Sequence, residues 1–178
     1  MAKTGTLLSM VLIVSAMLLP TSIAQDERGK AELKVSGGVI TIDYGRPSLK
    51  GRDMLSKLAV GESWRLGKNE VTTITTPVDL MFGSTRIAKG TYGLWLKRTQ
   101  SDKYDLVFNR QTTGHAMKHD TSKDVATVAM TKSEIQSPVE TLTIGLQPEG
   151  GGALVVEWGK VRLSTRFTAA GGGQGLVR

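Results

Sequence analysis

The stretch Leu154-Val-Val-Glu-Trp-Gly-Lys-Val-Arg-Leu163 places Leu154, Val156 and Trp158 on one side of an extended chain, the period-two pattern of a strand with one buried face. Gly159-Lys160 reads as a two-residue turn. If Trp158 pairs with Val161, then Val156 meets Leu163 and Glu157 meets Arg162, so an apolar face and a salt-bridged face sort themselves in one register. A slip of one residue destroys both matches, and a hairpin over 154–163 is therefore predicted.

The same alternation recurs outward from this stretch. It marks Ile40, Ile42 and Tyr44; Val78, Leu80 and Phe82; Tyr92, Leu94 and Leu96; Tyr104, Leu106 and Phe108; and Leu142, Ile144 and Leu146. Turn signals at Gly83-Ser84, Lys89-Gly90 and Gln147-Pro-Glu-Gly-Gly151 separate these runs. Asp53 to Ala59 alone reads as a short helix. The expected fold is all-β, an antiparallel β-sandwich of Greek-key or jelly-roll type with about eight to ten short strands and one short helix. An up-and-down barrel is the alternative. No helical segment of crossover length lies between the strands, so an antiparallel sandwich suits the pattern better than an α/β fold.

Residues 1–24 read as an export signal: Lys3 is the positive n-region, Leu7 to Leu19 the apolar core, and Ser22-Ile-Ala24 a small-x-small cleavage site. Cleavage would leave Gln25 first. The rival reading, a retained anchor, needs roughly 20 apolar residues, and the run ends early at Pro20. Residues 25–168 are expected to form one β-sandwich domain, and 169–178 a flexible glycine-rich tail. No stable membrane span is expected once the signal is removed, and the localisation read from this pattern is periplasmic or extracellular.

The chain has no cysteine, so neither a disulfide nor a lipidated cysteine is available. Its net charge is +7, or +6 once Lys3 leaves with the signal. Outside the cytoplasm such a charge suits acidic glycans, lipid headgroups and cell-wall polymers. The absence of a basic-aromatic stripe or recognition-helix pattern argues against nucleic acid.

Two segments concentrate charge, aromatic rings and glycine: Tyr44-Gly-Arg-Pro-Ser-Leu-Lys-Gly-Arg52 and Trp64-Arg-Leu-Gly-Lys-Asn-Glu70. Pro47 fixes φ and biases Arg46 to an extended conformation, and Gly51 opens left-handed backbone geometry, so the first segment should leave its strand in a defined turn. Arginines held in this way favour bidentate contact with carboxylate, sulfate or phosphate. The candidate binding residues are Arg46, Arg52, Trp64, Arg65, Asn69 and Glu70. The rival reading is an internal network in which Glu70 pairs with Arg46, Arg52 or Arg65. Trp95 alternates onto the face opposite Tyr92, Leu94 and Leu96, and is the candidate exposed stacking platform.

Catalytic sets are sparse. Ser48 lacks the Gly-x-Ser-x-Gly setting and its nearest histidine is 67 residues away. Glu70 with Asp43 or Glu157 would be a carboxylate pair of the hydrolase kind. His115, His119 and Asp120 have donor types suited to a metal, but Gly114 and Asp120-Thr-Ser122 mark a loop rather than the helix that would align both imidazoles.

Arg-Pro-Ser-x-Lys-Gly-Arg at 46–52, Trp-Arg-x-Gly-x-Asn-Glu at 64–70, Gly-Thr-Tyr at 90–92 and Phe-Asn at 108–109 together resemble the bacterial family catalogued as domain of unknown function 2911. The resemblance covers most of the chain after residue 24. It departs at Leu66 and Lys68, where the family more often carries Thr and Ala, so no role passes to those two positions. It implies an exported, β-rich domain and brings no established activity. The reading reached is a non-catalytic binding module for an anionic or carbohydrate ligand of the cell envelope, with no cofactor expected. The alternatives are a carboxylate-based or His115/His119 metal-dependent enzyme and a purely structural or protein-interaction domain.

Overall fold

The computed structural model describes residues 28–52, 55–115 and 118–170. Residues 1–24, read as an export signal, and the glycine-rich residues 171–178 lie outside the described residues. Strands β1 (Arg28–Val35) and β2 (Gly38–Gly45) form a hairpin that sets Leu33 opposite Ile40 and Ala31 opposite Ile42. They are followed by β3 (Ser63–Trp64), β4 (Thr73–Thr76), β5 (Leu80–Phe82), β6 (Thr85–Ile87), β7 (Gly90–Gln100) and β8 (Lys103–Asn109). A 24-residue β9 (Asp124–Gln147), a 14-residue β10 (Ala153–Arg166) and the short β11 (Thr168–Ala169) complete the described chain. All pairings are antiparallel. One sheet runs β1-β2-β4-β7-β8-β9-β10 with β3 added beside β7, and a small second sheet runs β11-β5-β6.

The all-β sandwich expected from the alternation is the fold observed, with the larger sheet strongly curled. Ile40, Ile42, Tyr44, Leu94, Leu96, Tyr104, Leu106, Phe108, Leu142 and Ile144 all point into one buried core. Phe82 of β5 lies 5.4 Å from Phe108 and 5.3 Å from Phe167, ring centre to ring centre, which fastens the small sheet onto the large one. Among the described residues no helix is long and apolar enough to cross a membrane.

Three expectations are corrected. Gly159-Lys160 is not a hairpin turn, because β10 continues through it and pairs with β9 on both sides. Gly159 opposes Val139 and Val161 opposes Glu134, so β9 uses more residues than β10 there and bulges outward at 135–138. The left-handed φ of Gly159, +62°, therefore bends the strand instead of reversing it. The Glu157–Arg162 ion pair forms nonetheless, at 2.8 Å, within one strand across the bulge. Of the helix expected at Asp53–Ala59, residues 53 and 54 lie outside the described residues and the rest is replaced: Leu55 to Leu58 form a turn, with Leu55 buried and its carbonyl accepting from the Tyr104 hydroxyl at 3.4 Å. So short a segment cannot repay helix nucleation. The only helical turns among the described residues are 3-10 turns at Thr121–Lys123 and Glu149–Gly151. Lastly, Ala169 does not belong to a tail. It pairs with Leu80, and the Ala170 amide donates to the Asp79 carbonyl at 2.8 Å.

The larger sheet is returned upon itself by the segment after β2. The Leu49 amide donates to the Glu140 carbonyl and the Leu142 amide to the Pro47 carbonyl, both at 2.9 Å, around a bridge between Ser48 and Thr141. Pro47 cannot donate, but this pairing asks only for its carbonyl. The hydrogen-bonded path β2-β4-β7-β8-β9 thereby returns to the continuation of β2, and one edge of the C-terminal half of β9 is covered.

Close backbone packing sits beside this seam. A Cβ on Gly45 would lie 2.1 Å from the Lys68 carbonyl oxygen, so Gly45→Ala is expected to destabilise by about 1–3 kcal/mol or more in chemical denaturation. At the second sheet, the Lys89 amide and the Arg86 guanidinium hold the Asp79 carboxyl below the usual carboxylate range. A depressed carboxyl adds stability above its unfolded pKa and loses it as pH falls through the folded one. Asp79→Asn should therefore flatten the acid limb of a Tm against pH profile below about pH 4.

Candidate functional site

The two dense segments meet. Gly45 packs backbone to backbone on Gly67-Lys68, and a Cβ on Gly67 would fall 2.7 Å from the Thr72 hydroxyl. That hydroxyl, fully buried, donates to the Leu66 carbonyl at 2.9 Å. The bend is held in a demanding conformation: Leu66 and Asn69 have φ of +51° and +60°, and Leu66 is fully buried while adopting it. Left-handed non-glycine residues cost about 1–3 kcal/mol each and persist only where their surroundings impose them. Here the imposition comes from Gly45 below, Thr72 inside, and the Leu94 amide donating to the Thr72 carbonyl at 2.8 Å.

The structure separates the candidate residues into two surfaces. On the first, Leu49 to Arg52 form the defined turn expected of the segment, with Lys50 and Gly51 both at positive φ and the Arg52 amide donating to the Leu49 carbonyl at 3.0 Å. Arg52 is exposed on this turn, at the edge of a groove of about 520 Å³ that runs over the seam. Lys132, Glu134 and Glu140 of β9 and Lys160 of β10 also line the groove, over apolar Leu49, Trp158 and Val161. Trp64 stacks on Trp158 beneath it, ring centres 5.2 Å apart and planes 15° from parallel. Lys132 is paired with Asp102, which holds the ammonium above the usual lysine range and is itself held below the carboxylate range. Glu140 accepts from the Lys50 amide at 2.9 Å.

The second surface is a smaller hollow of about 180 Å³ lined by Arg28, Gly45, Lys68, Asn69, Glu70 and His115. Glu70 is exposed there and faces His115 Nε2 at 3.7 Å. Arg46 and Arg65 are half-buried and engaged with neighbouring groups. The carboxylates weighed for acid-base work are each committed separately: Asp43 to Arg28, Glu157 to Arg162, and Glu70 to His115. Ser48 Oγ faces Thr141 Oγ1 at 3.3 Å in the seam.

Trp95 is not an exposed platform; it is 1% exposed. It packs with Val71 and Val107, and the His119 ring lies over it at 4.8 Å and 25°. Strand alternation put Trp95 on the correct face, but His119, in the loop after β8, covers that face. Gly93 allows the loop in, since a Cβ there would sit 2.1 Å from the Gln111 carbonyl. Asn109 pins the loop: fully buried, it donates to the Asp120 carbonyl at 2.9 Å and Asp124 Oδ1 at 2.7 Å, and accepts from the Gln111 amide at 2.8 Å.

The metal-donor residues are divided by the same loop. His119 Nε2 lies 2.7 Å from Asp124 Oδ1, His115 faces Glu70, and Asp120 caps the 3-10 turn by accepting from the Ser122 amide and hydroxyl. Among the described residues no group of three or more His, Asp or Glu side chains is placed to hold a metal ion. Replacing Asn109 by Ala would orphan a part-buried loop amide, of Gln111, and carbonyl, of Asp120. We expect a loss of about 1–3 kcal/mol or more in denaturant titration, with Trp95 fluorescence shifting as its cover loosens.

The chain belongs to the family described as protein of unknown function (DUF2911), whose model matches residues 26–167. No curated protein and no solved structure matches it.

Proposed function

We propose that this family member is an exported, non-catalytic module that binds an anionic or carbohydrate ligand of the cell envelope, and that the groove over the seam receives it. The observation that carries this reading is the groove's make-up. Its volume of about 520 Å³ falls within the roughly 300–1,000 Å³ of small-molecule sites. Arg52 and Lys160 reach it from segments far apart in sequence, each set by a left-handed turn or bulge, above an apolar floor of Leu49, Trp158 and Val161. Such a floor, rimmed by Arg52, Lys132 and Lys160 against Glu134 and Glu140, suits a sugar ring bearing a carboxylate or sulfate. The prior commitment of Glu140 to the Lys50 amide argues against a paired acid and base there. Export rests on the Lys3 to Ala24 pattern, and it is export that makes envelope glycans the relevant anions.

The test is a thermal-shift panel of acidic and neutral oligosaccharides against the parent protein, Arg52→Ala and Lys160→Ala. A ligand at a hundredfold excess over its Kd stabilises the folded state by about 2.7 kcal/mol. The expected result is a shift with acidic saccharides that is lost in both variants, while their unliganded Tm stays near the parent value. An undiminished shift in both variants, or no shift with any saccharide, would overturn the assignment.

A further inference from the structure

A β-bulge ordinarily adds a single residue to one strand. Between Glu134, which opposes Val161, and Val139, which opposes Gly159, β9 inserts Ile135, Gln136, Ser137 and Pro138, and β10 answers with Lys160 alone. None of the inserted residues has a partner in the register, and Gln136, Ser137 and Pro138 are exposed. Bending a strand does not need an excursion of this length. Bulges of this kind re-aim side chains toward sites.

A recess of about 180 Å³ lies on the excursion, lined by Glu134, Ile135, Gln136 and Lys160. Glu134 and Lys160 line the groove as well, so the two concavities adjoin across that pair. The recess is too small to hold a ligand by itself, since small-molecule sites run to roughly 300–1,000 Å³. As an extension of the groove it has room for one further unit of a ligand already held there. Its lining sets the character of that unit. Glu134 and Lys160 offset each other's charge, which leaves the half-buried Ile135 and the Gln136 amide with its donors and acceptor. Among the described residues the Gln136 side chain has no hydrogen-bond partner, so its amide is available.

The excursion is anchored where it leaves and rejoins the ladder. Glu134 pairs with Val161 and Val139 with Gly159, and the Trp158 indole donates to the Glu140 carbonyl at 3.3 Å. Pro138 fixes its own φ within it. A recess held in this way loses less freedom on binding than a loose loop does.

We propose that the recess is a subsite for a second, uncharged unit of the saccharide whose acidic unit lies in the groove, so that the ligand is a chain joining acidic and neutral sugars. This rests on the groove reading and deepens it. Lys160 and Glu134 stand at the junction of the two units, Ile135 packs on the neutral ring, and the Gln136 amide bonds its hydroxyl or acetamido groups. A chain of acidic units alone is disfavoured, because its second carboxylate would meet Glu134 with no cation in the recess beyond Lys160.

Amide NMR titrations with glucuronic acid, a tetrasaccharide of alternating glucuronic acid and N-acetylglucosamine, and tetragalacturonic acid test the subsite. The alternating tetrasaccharide should bind about tenfold or more tighter than either of the other two. In Gln136→Ala, an exposed change expected to leave the unliganded Tm near the parent value, its affinity should fall about fivefold while that of glucuronic acid stays the same. Arg52→Ala should weaken both. If glucuronic acid binds in an Arg52-dependent way but the alternating tetrasaccharide gains nothing over it, or gains equally in Gln136→Ala, the subsite is overturned and the groove reading stands. Tighter binding of tetragalacturonic acid than of the alternating chain would likewise overturn the neutral subsite alone. Absence of binding by all three would overturn both.

Discussion

The pairing of Pro47 to Leu49 with Glu140 to Leu142 is the constraint on which the rest of the structure depends. A curled sheet that ends in open strands presents unpaired amides and carbonyls along its edges. Here the chain leaves β2 and covers an edge of β9 with backbone hydrogen bonds, so the sheet wraps a single core instead of splaying. Each such bond contributes only about 1 kcal/mol net. The larger effect is geometric. With the seam in place, Gly45 must lie against Gly67-Lys68, which forces the left-handed bend at Leu66 and Asn69.

Both candidate surfaces are consequences of that closure. The turn that ends the seam, Leu49 to Arg52, is one wall of the groove, and the bulge of β9 opposite Gly159 is the other. On the other side of Gly45, the strained bend sets Lys68, Asn69 and Glu70 around the hollow with Arg28 of β1. Residues read together as one cluster from their density in the sequence thus serve two different surfaces. Arg52 belongs to one, Asn69 and Glu70 to the other, and Trp64 supports the groove from below through Trp158.

The strands were legible because a half-buried strand writes its burial every second residue, and Ile40, Ile42, Leu106, Phe108, Leu142 and Ile144 all do so. Gly159 misled because left-handed φ serves a bulge as readily as a turn; only the pairing of β10 with β9 on both sides of it decides between them. Trp95 misled for a different reason. Alternation states which face a side chain takes, and what lies on that face is a tertiary fact, here a loop admitted by Gly93 and pinned by Asn109. Lys132, Glu134 and Lys160 carried no local signal, since each is an ordinary polar strand residue until β9 and β10 bring it over Arg52. Arg28 carried no local signal, and its place in the hollow follows from the β1–β2 register that sets it opposite Gly45.

Native-state hydrogen exchange at the Leu49 and Leu142 amides measures the seam directly. If closure of the sheet depends on it, both amides should exchange only through global unfolding, with protection equal to that of the central β7 and β8 amides. Exchange of either amide at the rate of an exposed loop, while β7 and β8 remain protected, would show that the sheet holds without the seam and would contradict the account.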